Sequence, residues 1–255
     1  MSLILDIRIK DLDIKAYETR QEMGDKAAIN AAKRINKIMK EKNLVNAVFA
    51  AAPSQNEFLE SLIRQKVDWS KVQAFHVDEY IGLQQEAPQN FGNFLRESIF
   101  GKVNFAKVNY LNGNAKDPKA ECIRYTELLK MNPPDIVFLG IGENGHLAFN
   151  DPAVADFEDP YQVKIVELDQ VCRNQQVNDG CFSQLDEVPK NAMTLTMSMI
   201  MSIPELIVVV PGKQKKDAVR NAIKGEITTQ CPASILRLHK NATIYLDKES
   251  AKDLF

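Results

Sequence analysis

A chain of 255 residues, 45% hydrophobic and 26% charged, with a formal net charge of −2, can bury roughly 70–75% of its unfolded surface and needs no covalent staples. That charge balance argues against nucleic acid as a partner, since the densest basic cluster is only Lys213, Lys215 and Lys216. No run approaches the roughly 18 apolar residues of a membrane helix. The start, MSLILDIRIKDLDIK, alternates apolar and charged residues and lacks the features of a secretory signal. A cytoplasmic protein with no membrane partner is expected. The four cysteines, Cys122, Cys172, Cys181 and Cys231, form no C-x-x-C pair, and three histidines are too few for a zinc cage. Free thiols and no metal site are expected.

Apolar runs and helical patterns then alternate along the chain. An amphipathic helix is predicted over 17–40, with Ala27, Ala28, Ala31, Ile35, Ile38 and Met39 near helical spacing. A short buried strand follows at 46–52, a helix over 56–65, a strand at 72–77, a helix over 90–100 and a strand at 108–111. The next helix, 118–130, has Asp117 as cap and proline at its first turn. DIVFLG, from Asp135, is the clearest buried strand. Further strands are predicted at 163–168, 193–197, 206–210, 234–238 and 243–246, with a helix over 214–223. The rhythm implies an α/β fold, a doubly wound, mostly parallel sheet with helices on both faces. No linker divides the chain, so 1–255 reads as one domain. The polar stretch 169–190 breaks the pattern and reads as a structureless, lid-like insertion.

Ligands of open parallel sheets bind beyond the carboxyl ends of the strands, which selects three segments. Ala50-Ala-Ala-Pro-Ser-Gln offers small residues, the Ser54 hydroxyl and a helix N-terminus suited to an anion. Phe75-His-Val-Asp-Glu-Tyr-Ile-Gly-Leu puts two carboxylates at a strand tip, where one can face a crevice as general base while the other anchors the loop. His76 there is read as structural, as is His239. Leu139-Gly-Ile-Gly-Glu-Asn-Gly-His-Leu-Ala-Phe-Asn-Asp-Pro makes a glycine turn with exposed amides, including that of Gly142. His146 lies just past the turn, with Asn144 and Asp151 at hand, and a neutral imidazole can relay protons near pH 7.

These segments resemble the glucosamine-6-phosphate deaminase (isomerase) family, related to 6-phosphogluconolactonases. F-H-V-D-E-Y-I-G-L and L-G-I-G-E-N-G-H-L-A-F-N-D-P carry the likeness, and A-M-T-L-T, G-K-Q-K-K-D-A and S-I-L-R-L-H follow in the family's order. The resemblance implies a sugar-phosphate substrate and a mechanism without metal or organic cofactor. It makes Asp78 the base moving a proton between C2 and C1, His146 the ring-opening residue, Asp151 its support and Lys215 a phosphate-binding lysine.

Three departures stand out. Asn144 replaces an aspartate, and an amide can still orient an imidazole by hydrogen bonding. Gln176 stands at the family's phosphate-binding arginine, where a charge-assisted pair is lost, and Arg173 could compensate from the same loop. Ala-Ala-Pro-Ser-Gln replaces the usual phosphate turn around Ser54. The first two changes resemble galactosamine-6-phosphate isomerases of the same superfamily. Two other functions are compatible, a 6-phosphogluconolactonase-type hydrolase and a non-catalytic sugar-phosphate sensor. Phe-Asn-Asp-Pro after Gly-His speaks against the first. The sequence leaves a homo-oligomer open.

Overall fold

The computed structural model describes residues 3–255. In chain order its elements are β1 (Leu3–Ile9), β2 (Leu12–Tyr17), α1 (Arg20–Glu41), β3 (Val45–Phe49), α2 (Asn56–Leu62), β4 (Val72–His76) and β5 (Asp78–Tyr80). There follow α3 (Phe91–Leu95), β6 (Lys107–Val108), α4 (Pro118–Met131), β7 (Ile136–Leu139), β8 (Val163–Glu167), α5 (Gln170–Asn178) and β9 (Asn191–Leu195). The chain closes with α6 (Met197–Ser202), β10 (Glu205–Val210), α7 (Lys216–Lys224) and β11 (Ala242–Asp247).

Eight strands form the main sheet in the order β1-β2-β11-β10-β7-β3-β4-β6, parallel except for the β1 edge. The doubly wound α/β expectation holds. Its central strands are apolar throughout because both faces are covered. Successive side chains of β7 serve opposite layers. Ile136 and Phe138 pack with α1 and α2, whereas Val137 and Leu139 pack on the other side, with Tyr125 of α4 and Val219 of α7. From β3 the chain steps outward to β4, and from β7 it steps the other way to β10. The gap between β3 and β7 is therefore a topological switch point, where the connecting segments part and leave a crevice at the strands' carboxyl ends.

Local signals set the helix starts. Thr19 accepts from Glu22 N at 3.1 Å ahead of α1, and Asp117 Oδ1 accepts from Lys119 N at 2.9 Å and Ala120 N at 3.2 Å ahead of α4. Asp117→Ala leaves both amides to water and is expected to cost about 1 kcal/mol. Scanning calorimetry should then show a loss of roughly 2–4 °C in Tm; an unchanged Tm would mean the cap carries no weight here.

Four expectations are corrected. Strands β8 and β9 lie in a second, antiparallel sheet, ordered β5-β9-β8. The pairs run antiparallel, with Asp78 opposite Thr194 and Val163 opposite Leu195, and Val163 and Val166 of β8 pack into cores on opposite faces. Residues 234–238 belong to a 3-10 helix, Pro232–Leu238. A short apolar run cannot be told from a buried helical turn by period alone, and Pro232 at its first position favours the helix. The segment 169–190 is not structureless, since it holds α5, capped by Asp169, and a 3-10 turn at Leu185–Glu187. The helix expected over 90–100 changes after α3 to a π-helical turn, Arg96–Phe100. The sequence reading also missed α6, which Thr196 caps.

Candidate active site

The crevice at the switch point is built from the tips of β3, β4, β7 and β10. At the end of β3 the small residues Ala50–Ala52 let the backbone pass close by, and Ala50 N donates to Phe138 O at 2.9 Å, tying the β3 tip to β7. Ser54 follows in a 3-10 turn and borders the cavity.

After β7 the glycine turn folds back on itself. Gly142 N donates to His146 O at 2.9 Å and Gly145 N to Gly142 O at 3.0 Å. Gly145 has φ +85° and sits against Cys231, a backbone conformation and a contact that favour glycine. Gly142 is required for another reason. A Cβ there would overlap Cε1, Nε2 and Nδ1 of His146, so the imidazole lies directly on the Gly142 backbone. Two residues past the histidine, Ala148 borders the cavity at φ 50°, a left-handed conformation that costs a residue with a side chain some strain.

Strand β4 ends at His76, which is fully buried and structural as expected. Its Nδ1 lies 2.8 Å from Asp78 O, and its Nε2 accepts from Leu111 N at 2.9 Å. Nε2 must therefore be unprotonated and Nδ1 the donor, and burial pushes the pKa down to about 4. The neutral ring thus pins the peptide that places Asp78. The next two residues divide as a strand tip requires, with Asp78 facing the cavity. Glu79 accepts from Tyr80 N at 3.0 Å, Phe91 N at 2.9 Å and Gly92 N at 2.8 Å. Burial raises the Asp78 pKa well above the carboxylate range, and the neighbouring Glu79 adds to the rise. Glu79 itself is pushed up to about 7 by burial, against the pull of its three amide donors. A raised pKa is what a carboxylate needs to take a carbon-bound proton near neutrality.

His146 forms a pair with Asp151, whose Oδ1 lies 2.9 Å from Nδ1. The contact has the distance of an ion pair without the alignment of a straight hydrogen bond. Burial would raise the Asp151 pKa, but the nearby His146 and the Asn144 hydrogen bond outweigh it and leave the pKa lowered. Asn144 makes no hydrogen bond to the imidazole ring, contrary to expectation. Its Oδ1 accepts from His146 N at 3.0 Å, and its Nδ2 donates to Asp151 Oδ1 at 3.0 Å. Asn144 and Asp151 stand behind the cavity wall, each in contact with His146.

Lys215 is 5% exposed and borders the same cavity. Among the described residues no carboxylate lies within 4.0 Å of its ammonium. Burial lowers its pKa, opposed by the charges of Asp179 and Glu143. A buried cation without a partner is costly unless an anion completes it. Of its neighbours in the basic cluster, Lys213 is exposed and Lys216 pairs with Asp253 at 3.7 Å.

Helix α5 closes the cavity with Gln175 and Gln176. Gln175 Oε1 accepts from Glu143 N at 2.8 Å, holding α5 to the glycine turn. Arg173 does not compensate for Gln176, because its guanidinium donates to Leu185 O at 2.7 Å and Val188 O at 3.0 Å, outside the cavity. The sequence reading missed Gln175 and Cys172; with Gln176 they form the buried face of α5. The signal was helical spacing carried by polar residues, which a search for apolar periodicity passes over. The metal-binding atoms of His146, Asp151 and Cys172 lie within 4.8 Å of one another. Yet the imidazole and carboxylate already face each other, and burial, with the charge of Asp151, drives the Cys172 pKa well up and keeps it a thiol. That chemistry suits an internal acid–base pair better than a metal centre, since a thiol must ionise to bind a metal.

A switch-point crevice holding a buried carboxylate, an imidazole–carboxylate pair and an unpaired lysine is equipped for proton transfer on a small anion. The chain belongs to the glucosamine-6-phosphate isomerase/6-phosphogluconolactonase family, whose model matches residues 18–245. It is 31% identical over 240 residues to a glucosamine-6-phosphate deaminase of Lactobacillus delbrueckii subsp. bulgaricus, covering 94% of this chain and 98% of the relative. A glucosamine-6-phosphate deaminase of Thermoanaerobacter sp. is 34% identical over 236 residues, covering 91% and 90%. Among solved structures, a monomeric glucosamine-6-phosphate deaminase superposes with a TM-score of 0.86 at 30% identity, covering 94% of this chain and 98% of that one. The 6-phosphogluconolactonase of Thermotoga maritima, at 18% identity and a TM-score of 0.77, covers 93% and 100% and shares the fold. No helix among the described residues is long and apolar enough to cross a membrane.

Proposed function

We propose that this protein is an aldose–ketose isomerase that deaminates a hexosamine 6-phosphate, with glucosamine 6-phosphate as its substrate. The observation carrying this reading is that Asp78, His146 and Lys215 border one cavity at the switch point. Lys215, the Ser54 hydroxyl and the amides after β3 would hold the phosphate, with Gln176 adding a neutral donor where a guanidinium would be charged. His146, held by Asp151, passes a proton from the anomeric hydroxyl to the ring oxygen and opens the ring. The aldehyde acidifies the C2 proton; Asp78 takes it, and electrons move through an enediol-like amine as the proton is delivered to C1. C2 is then a ketimine, and water displaces ammonia to leave a ketose 6-phosphate.

The whole chain acts as one domain, with 169–190 as a lid over the site. The cavity as it stands is about 60 Å³, room for a few waters, and α5 carries Gln175 and Gln176 over it. The reading is tested by measuring ammonia from glucosamine 6-phosphate and galactosamine 6-phosphate side by side, with 6-phosphogluconolactone as control. Acid from the lactone with no ammonia from either sugar would replace this reading by a lactonase. Saturable binding without any product would replace it by a sensor.

Lys215→Ala tests the phosphate assignment. KM for the sugar phosphate is expected to rise by about 100-fold, since a buried charge-assisted contact is worth about 1.5–3 kcal/mol, while kcat falls much less. An unchanged KM removes Lys215 from the site.

A further inference from the structure

We infer that Asp169 is a positioning residue for the catalytic histidine, acting through Asn144 and tying the cover helix α5 to the imidazole–carboxylate pair. The two oxygens of Asp169 do different work. Oδ1 accepts from Cys172 N at 2.7 Å and caps α5. Oδ2 lies 3.3 Å from Asn144 Nδ2, the same amide nitrogen that donates to Asp151 Oδ1 at 3.0 Å. The amide's orientation is fixed by its surroundings. Its oxygen accepts from His146 N at 3.0 Å, so its two N–H donors are left to face the two carboxylates.

This arrangement explains why an amide and not a carboxylate occupies position 144. An aspartate there would bring a third acceptor within about the same distance of Asp151 and Asp169, with no donor among the three, and like charges so placed cannot all stay ionised. Asn144 supplies the two donors that let both carboxylates sit in one half-buried cluster. Cys172, one turn into α5, brings its Sγ within 4.8 Å of the Asp151 carboxylate. Helix α5 therefore reaches the imidazole's partner through Asp169 and Asn144, and it also carries Gln175 and Gln176 over the cavity. A cover that is not seated leaves Asn144 short of one acceptor and Asp151 less firmly held, so closure and the orientation of His146 are set together.

The discriminating variants are Asp169→Asn and Asp169→Ser. Asparagine and serine are both good helix caps, so either keeps α5. Asparagine turns an N–H toward the Asn144 N–H, and serine is too short to reach it. The kinetic arm rests on the deaminase reading, and a second arm does not. With glucosamine 6-phosphate both variants are expected to lose about 10- to 100-fold in kcat, the scale on which small misplacements of reacting groups act. KM should stay within about twofold, because neither Asp169 nor Asn144 borders the cavity. Independently of any substrate, nitrogen-15 NMR of the imidazole should show the Nδ1–H form of His146 in the unaltered protein. A mixture of tautomers is expected in both variants, at an unchanged helical circular dichroism signal. Variants with kcat within twofold of the parent, or with a change in KM alone, would overturn the inference and leave Asp169 a cap. If the parent releases no ammonia, the functional reading fails and the tautomer comparison alone decides. An unchanged imidazole spectrum then overturns the inference.

Discussion

Asp78→Asn is expected to lower ammonia-forming turnover of glucosamine 6-phosphate by about 10²–10⁴-fold, the range assigned to a positioned general base. Sugar-phosphate binding, followed by calorimetry, should change by no more than a few fold, because the amide keeps the shape of the carboxylate and Lys215 is untouched. The variant should fold well. Burial holds the Asp78 pKa well above its ordinary value, so ionised Asp78 opposes folding as pH rises past the unfolded-state pKa. Removing the charge should leave Tm at pH 7–8 unchanged or higher. The same shift sets the pH profile of the parent enzyme. A base works deprotonated, so kcat/KM should fall as pH drops through the raised pKa, and the acid limb should lie nearer neutrality than an ordinary aspartate would put it. Ordinary turnover in Asp78→Asn would remove the base assignment.

Gly142→Ala is expected to be nearly as damaging without touching a reacting group. The added Cβ falls on the imidazole of His146, so the ring must leave its place against Asp151. A loss of about 100-fold or more in kcat/KM is expected from that displacement, for a destabilisation of only about 1–3 kcal/mol, the usual cost of overpacking. Alanine at 142 with activity within a few fold of the parent would mean that the ring position is not the one used in turnover.

Much of this architecture was legible from local chemistry. The unbroken apolar run IVFL of β7 announced a strand covered on both faces, and Asp117 and Pro118 announced the start of α4. The Asp78–Glu79 pair was readable as one carboxylate facing the crevice and one anchoring the loop because a strand tip alternates. What escaped depended on the third dimension. The second sheet joins β5 to β9 and β8 across long stretches of sequence, and nothing local in Asp78–Tyr80 names those partners. Helix α5 escaped because its buried face is polar, Cys172, Gln175 and Gln176. Gln175 and Gln176 are hidden by the cavity, and Cys172 by the apolar core behind it. Asn144 was singled out for the right place but given the wrong contact. Its bond to Asp151 spans seven residues and the bond to Asp169 spans 25, and only the folded turn and the cap of α5 bring those groups together. Lys215 was one of three similar lysines in sequence, picked out there only by the family resemblance; in the fold its burial separates it from exposed Lys213 and from Lys216, which pairs with Asp253.

The central claim is that one crevice both isomerises and deaminates its sugar, and glucosamine 6-phosphate carrying deuterium at C2 tests it most directly. Turnover followed by NMR and an ammonia assay should give ketose 6-phosphate and ammonia in equal amounts, with the label divided between C1 and solvent. An aldose product that keeps deuterium on C2, or no ammonia at all, would contradict the account.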